Sequence, residues 1–241
     1  MRRPVPSGTS DDQLGSKSYK PALGYRFLTR FYDPIVRWTT SEPSFREILL
    51  AQVEPARGAC VLDLGCGTGT FALALQQRRP DLSIVGLDAD IGVLTIARRK
   101  GDMANSAILW QHGNAVRMPF AGGAFDVVTC SLFFHHLLPA AKVRVAHEIW
   151  RVLKPNGSLH VADWTTPRQL RCSLGFLLVQ LLDGFATTGE HRRGRLPSRL
   201  AEAGFVDIEA SSSLDAPLGT IGFWRARRMA ESNPVGPGGV P

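Results

Sequence analysis

The sequence is poor in the residues that staple or bridge a fold. Only four cysteines occur in 241 residues (Cys60, Cys66, Cys130 and Cys172), and none forms a CxxC pair. No histidine stands at zinc-finger spacing from them, so neither a disulfide framework nor a metal site is expected. Long apolar runs are also missing. The longest, Leu174–Leu182, is broken by Gln180 and falls well short of the ~20 residues that span a bilayer. Met1–Lys20 is polar and holds no apolar core, so no signal peptide is expected. There is no internal repeat and no polybasic tail. The net charge of +7 is spread as +3 over residues 1–50, +2 over 51–164 and +2 over 165–241. One local cluster remains: Arg192, Arg193, Arg195 and Arg199. It reads as a solvated basic face, with contact to an anion or a lipid headgroup as the sharper alternative.

What is present is globular. Hydrophobic residues make up 44% and charged residues 20%, which excludes a disordered or collagen-like chain. Cys60 and Cys130 fall in apolar runs, where a free thiol behaves as a small buried hydrophobe; this suits a reducing, cytoplasmic setting. Residues 1–20 and 231–241 are expected to be disordered, with a single domain over 21–230 between them. Phe27–Trp38 and Ser44–Val53 read as lid helices within 25–53, the second opened by a capping box of Ser44 and Glu47. From residue 60, short apolar runs alternate with helical patterns. Strands are expected at Cys60–Leu64, Ser83–Leu87, Ala107–Gln111, Phe125–Cys130 and Ser158–Ala162. The helices between them are Thr70–Arg78, Ile91–Lys100 and Ala140–Leu153, and Lys154–Gly157 is a turn. Such alternation predicts an α/β fold, a Rossmann-like doubly wound parallel sheet with helices on both faces. Leu170–Phe185 and Pro197–Ala203 then read as helices, and Phe205–Ala210 and Thr220–Arg225 as closing strands.

The chemistry gathers at strand ends. In Val61-Leu-Asp-Leu-Gly-Cys-Gly-Thr-Gly-Thr70, an apolar strand ends in Asp63 and runs into glycines at 65, 67 and 69. Glycines at such a turn permit positive φ and close backbone approach to a ligand. A dinucleotide fingerprint from Gly65 needs its third glycine at position 70, which is Thr. Asp63 would repel a pyrophosphate but suits an ammonium group, so the expected ligand is cationic and free of phosphate. Asp88 ends the next strand, where a carboxylate can accept bonds from ribose hydroxyls; capping the following helix is the alternative, and Asp90 serves that equally well. Asn114 follows the third strand, placed to bond an adenine edge, with Ala115 and Met118 packing on the ring. Ser131-Leu-Phe-Phe-His-His-Leu137 follows the fourth. All four segments belong to the carboxyl edge of the sheet, where open α/β folds bind ligands.

This ordered set resembles the class I S-adenosylmethionine-dependent methyltransferases, and most of all the small-molecule branch that includes the ubiquinone and menaquinone C-methyltransferases. The resemblance runs from about Phe31 to Pro167. Beyond the segments above it includes Phe125-Asp-Val-Val128 and Glu148-Ile-Trp-Arg-Val-Leu-Lys-Pro-Asn-Gly157. It implies a seven-stranded sheet with an antiparallel last strand and S-adenosylmethionine as cofactor. It further implies that Gly65 and Gly67 line the methionine part, Asp88 the ribose, and Asn114 with Ala115 the adenine. Asp63, Cys66, Gly69, Ala89, Ser131 and Tyr32 complete the expected cofactor set. Asn114 departs from the Asp common in the family, though its amide oxygen can still accept from an adenine amino group.

Methyl transfer from a sulfonium is an in-line displacement that needs alignment and exclusion of water more than a nucleophile or a metal. A base is required only where the acceptor must lose a proton. The candidates are His136, His135 and Asp163. The histidines are adjacent, so at most one is expected to face the acceptor, and loop-fixing or hydrogen-bonding roles compete at all three positions. The cap at about 165–199 presents Leu174, Phe176, Leu177, Leu178, Leu181, Leu182 and Phe185. These suit a hydrophobic or aromatic acceptor (a quinone, phenol, natural product or lipid), a dimer interface, or ordinary packing. The partner expected is therefore a small-molecule methyl acceptor. Membrane contact stays open, as does the choice of monomer or homodimer. Nucleic-acid substrates are disfavoured, because no Asn/Asp-Pro-Pro-aromatic motif, Pro-Cys pair or basic stripe with interleaved aromatics occurs. The alternatives are an NAD-linked oxidoreductase and an inactive cofactor-binding partner subunit.

Overall fold

The computed structural model describes residues 42–167, Cys172, Phe176 and residues 185–229. The expected disordered ends, the helix Phe27–Trp38, Tyr32 and most of Leu170–Phe185 lie outside the described residues. The order is α1 (Glu42–Gln52), β1 (Cys60–Leu64), α2 (Thr70–Arg78), β2 (Ser83–Asp88), α3 (Ile91–Met103), β3 (Leu109–His112), β4 (Phe125–Ser131), a 3-10 turn (Phe134–His136), α4 (Pro139–Val152), β5 (Leu153–Thr165), α5 (Phe185–Arg192), α6 (Leu196–Glu202), β6 (Phe205–Ala216) and β7 (Gly219–Arg228).

The strands form one seven-stranded sheet in the order β3-β2-β1-β4-β5-β7-β6. β1 pairs in parallel with β2 and β4, β2 with β3, and β4 with β5, while β7 runs antiparallel to both β5 and β6. Because β1 and β4 are neighbours although they are not consecutive, the winding reverses between them, and a crevice opens above their carboxyl ends. Alternate residues of the central strands feed two cores. Leu62, Leu64, Val128, Cys130, Leu159 and Val161 pack toward α4 and α6. Val61, Ile84, Val127 and Ala162 pack toward α1 and α2. In α4 the buried residues Ala141, Val145, Ile149 and Val152 recur at helical spacing behind Pro139 in its first turn.

Several boundaries move. α1 begins at Glu42, so Ser44 lies inside the helix and the capping box does not form; Glu47 instead pairs with Arg78 of α2. The expected turn Lys154–Gly157 lies within β5, where the register against β4 shifts and Asn156 takes φ 64°. β6 and β7 each extend beyond their apolar runs, because their antiparallel ladder continues from Phe205↔Arg228 to Ala216↔Gly219.

Candidate active site

The β1–α2 turn is built around backbone needs. Gly65 and Gly67 have φ 69° and 53°, in the left-handed region that L side chains avoid. Space adds a second demand at Gly65, since a Cβ there would lie 2.4 Å from Cδ2 of Phe133. The amides of Gly65 and Cys66 donate to Leu87 O at 2.8 and 3.1 Å. Gly67 N–H donates to Asp88 Oδ2 at 2.9 Å, and Asp88 Oδ1 accepts from Asp90 N–H at 2.9 Å. Asp88 thus ties the ends of β1 and β2 together. Asp90, not Asp88, caps α3, accepting from Gly92 N–H at 2.7 Å.

A cleft opens over these strand ends. Gly65, Gly67, Asp88, Ala89, Asn114, Ala115 and His136 are among the residues that line it. Sequence analysis missed part of its apolar wall (Leu87, Val93, Val116, Leu132 and Phe133). Asn114 sits in a tight turn, its Oδ1 accepting from Val116 N–H at 3.1 Å. Asp63 lies behind the glycine turn, 1% exposed. Its Oδ1 accepts from Thr129 Oγ1 at 3.0 Å, and its Oδ2 is buried with no hydrogen-bond partner among the described residues. Burial above all, with a contribution from Asp88 and against the Thr129 bond, pushes the Asp63 carboxyl up to about 7. Burial also raises Asp88. A buried carboxyl with an unmet oxygen and a half-buried carboxylate make an environment that a cationic, donor-rich ligand would relieve.

Three further expected cofactor residues do not line this cleft. Gly69 faces away from the cleft: a Cβ there would lie 2.4 Å from the Trp110 ring, so this glycine makes room for a tryptophan on β3. The Cys66 side chain is buried and approaches the Gly67 carbonyl at 3.9 Å, and burial pushes its thiol up. Ser131 ends β4 without lining the cleft. Tyr32 lies outside the described residues.

The β4–α4 segment separates the two histidines. Leu132 takes φ 51°, a left-handed conformation rare for a leucine, and its N–H donates to Ala162 O at 2.8 Å. The chain then folds into the 3-10 turn. His136 lines the cleft, whereas His135 is buried and donates from Nδ1 to Asp163 Oδ1 at 2.7 Å. Asp163, wholly buried, also accepts from Phe133 N–H and His135 N–H on Oδ2, at 3.2 and 3.3 Å, and from Trp164 N–H on Oδ1 at 2.7 Å. Asp163 and His135 therefore hold the turn that presents His136. Trp164 is buried against Phe176 with ring centroids 6.0 Å apart.

Within the arginine cluster, Arg199 is engaged by Glu190 and Glu202, Arg193 and Arg195 are exposed, and the Arg192 side chain lies outside the described residues. Lys142, buried in α4, donates to Thr187 O at 2.7 Å and lies 3.8 Å from Glu190, fastening α5 beside the Phe134–His136 turn. Among the described residues, no helix is long and apolar enough to cross a membrane.

The sheet order, with its parallel strands and an antiparallel β7, defines a Rossmann-like doubly wound α/β fold. Known proteins narrow this. Residues 61–157 match the family model described as a methyltransferase domain. A demethylmenaquinone methyltransferase of Deinococcus radiodurans is 37% identical over 107 residues, 44% of this chain and 44% of that protein. Its counterpart from Lactiplantibacillus plantarum is 36% identical over 129 residues, 52% of this chain and 53% of that protein. The matches thus span about half the length of these relatives. A solved S-adenosylmethionine-dependent methyltransferase from Aquifex aeolicus superposes with TM-score 0.59 at 17% identity, covering 76% of this chain and 89% of that one. That likeness is one of fold. Over residues 61–157 the chain is thus similar to a methyltransferase domain, and over about half its length to demethylmenaquinone methyltransferases.

With its carboxyl raised, Asp63 would make the binding of a cationic ligand depend on pH. Its folded value, about 7, stands above the ordinary 3.8, so the folded chain retains a proton there. The associated stability is present at low pH and is lost as pH rises from about 4 through 7. A cationic group facing the carboxylate favours the ionised form. The affinity of S-adenosylhomocysteine is therefore expected to rise about tenfold between pH 6 and pH 8, with proton release on binding below pH 7. Asp63→Asn should flatten that profile. Calorimetry in buffers of different ionisation enthalpy checks this, and a flat wild-type profile would exclude the ammonium contact.

Proposed function

We propose that the protein transfers a methyl group from S-adenosylmethionine to a small hydrophobic or aromatic acceptor. One observation carries the reading. A continuous cleft runs from Gly65 and Gly67 past Asp88 to Asn114 and Ala115, with the unmet Asp63 oxygen buried behind its glycine end. That sequence of surfaces fits an amino-acid part, a ribose and a purine in turn. Asp63 supplies a counter-charge for the ammonium, Asp88 an acceptor for ribose hydroxyls, and Asn114 with Ala115 the purine edge and wall. The cofactor, when bound, contributes a methyl group activated by a sulfonium.

The chain's own residues hold and align. The apolar wall of Leu132, Phe133 and Leu137 excludes water next to the glycine turn. His136, the one candidate base that lines the cleft, is the residue to take a proton from a hydroxyl acceptor. The relatives named as demethylmenaquinone methyltransferases favour a quinone-type acceptor, and the apolar composition of the cap agrees. Nothing favours NAD: position 70 is Thr, and a buried acid stands where a pyrophosphate would come.

The test is binding followed by transfer. S-adenosylhomocysteine should raise the melting temperature where NADH does not, and methyl-labelled S-adenosylmethionine should label an acceptor from a panel of quinols and phenols. His136→Ala should slow transfer to a hydroxyl acceptor by about 10²–10⁴-fold with little change in cofactor affinity; equal losses in both would make His136 structural. Stabilisation by NADH alone would overturn the proposal, and cofactor binding with no transfer to any acceptor would favour an inactive subunit.

A further inference from the structure

We propose that Glu148 and Arg151, which do not line the cleft, are positioning residues that set the affinity for the adenine end of the cofactor. The inference rests on the cofactor reading above and adds a structural cause for it. Glu148 Oε2 accepts from Met118 N–H at 2.7 Å. Arg151 donates from Nη1 to Phe120 O at 2.8 Å and from Nη2 to Met118 O at 3.2 Å, gripping two alternate carbonyls of the β3–β4 loop. The two side chains are joined by a forked pair, Nε to Oε1 at 2.7 Å and Nη2 to Oε2 at 2.8 Å. The carbonyl of Arg151 accepts from Gly123 N–H at 2.9 Å. The last turn of α4 thus clamps residues 118–123 by their main chain.

Pro119, between the two clamped carbonyls, carries the constraint to the cleft. A Cβ on Gly113 would lie 3.2 Å from Cδ of Pro119 and 2.9 Å from Cδ1 of Leu87, so Gly113 is wedged between the clamped loop and β2. Its N–H donates to Asp88 O at 3.0 Å. Gly113 opens the tight turn that Arg117 N–H closes onto Asn114 O at 3.1 Å, and this turn presents Asn114, Ala115 and Val116 to the cleft. The chain of contacts runs from α4 through Met118–Phe120 and Gly113 to the purine wall.

An i, i+3 ion pair between partly exposed side chains contributes little by itself. Here the same two side chains satisfy three main-chain groups, and such charge-assisted bonds are among the strong ones. The Arg151 fork also holds the Glu148 carboxyl below its usual range, so the clamp stays ionised near neutrality.

Titration calorimetry of the full chain with S-adenosylhomocysteine and with its inosine counterpart tests the inference. Arg151→Met should weaken S-adenosylhomocysteine binding about tenfold. It should weaken the inosine counterpart less, so that discrimination between the two bases shrinks. Arg151→Lys, which keeps the charge but cannot fork to both carbonyls and the carboxylate, should give the same direction and decides the matter if Arg151→Met does not fold. Glu148→Gln, which keeps an oxygen for Met118 N–H, should fall between wild type and Arg151→Met. Wild-type affinity in the arginine variants, or equal loss for both ligands, would overturn the inference. A wild-type chain that binds neither ligand would overturn the cofactor reading beneath it.

Discussion

Replacing Asp88 with Ala is expected to remove S-adenosylmethionine binding from the measurable range. The carboxylate has two tasks, and alanine ends both. In the proposed site it is the strand-end acid that accepts from ribose hydroxyls, and charge-assisted bonds of that kind are strong enough for two lost contacts to weaken affinity by about a hundredfold or more. It also pins Gly67 N–H and Asp90 N–H, at 2.9 Å each. Without it the glycine turn loses a tether next to the surface proposed to receive the amino-acid part. Asp88→Asn separates the tasks: the amide oxygen can keep one backbone bond but brings no charge and accepts from fewer donors. The asparagine variant should therefore melt close to wild type and still bind weakly, while the alanine variant binds below detection. Calorimetry with thermal unfolding checks this, and wild-type affinity in Asp88→Ala would refute the ribose assignment.

Much of the sheet was legible because β1, β2 and β4 are short, apolar and bounded by residues of distinct chemistry. Asp63 and Asp88 stand out in sequence as polar groups at the ends of buried runs, and Asn114 as one in the turn after β3. What stayed hidden depends on tertiary contact. Gly65, Gly67 and Gly69 look equivalent along the chain, yet Gly69 serves Trp110, forty-one residues further on. The expected strand Phe205–Ala210 stops short, yet β6 runs on, because Ser212 and Ser213 pair with β7. Glu148 and Arg151 resemble an ordinary helix-surface pair until the fold sets the β3–β4 loop against them. The division of labour between His135 and His136 could not be read from adjacency, since only the position of Asp163 on β5 decides which ring is held.

That position supports the second large effect. Asp163→Ala is expected to lower stability by about 3–5 kcal/mol, the range seen when one partner of a buried charged network is removed. The carboxylate accepts from Phe133 N–H, His135 N–H, Trp164 N–H and His135 Nδ1. Alanine would leave these donors without that acceptor in a region closed to water, because Asp163 is wholly buried and His135 is only 3% exposed. For a chain of this length, such a loss corresponds to a fall in melting temperature of roughly 10 °C. The consequence for function follows from the strained link upstream. Leu132 is held at φ 51° by what surrounds it, including its bond to Ala162 O. Once the Asp163 anchor is gone, the turn can relax and His136 leaves its place on the cleft wall. Transfer should then fall further than cofactor affinity, because Asp88, Asn114 and Ala115 stand on β2 and the turn after β3, away from the damage. Asp163→Asn, which retains an oxygen for the backbone donors, should recover part of the stability. If Asp163→Ala melted within a degree of wild type, the anchoring role would fail. If its stability fell while transfer at low temperature stayed at the wild-type rate, the link from anchor to His136 would be the part that fails.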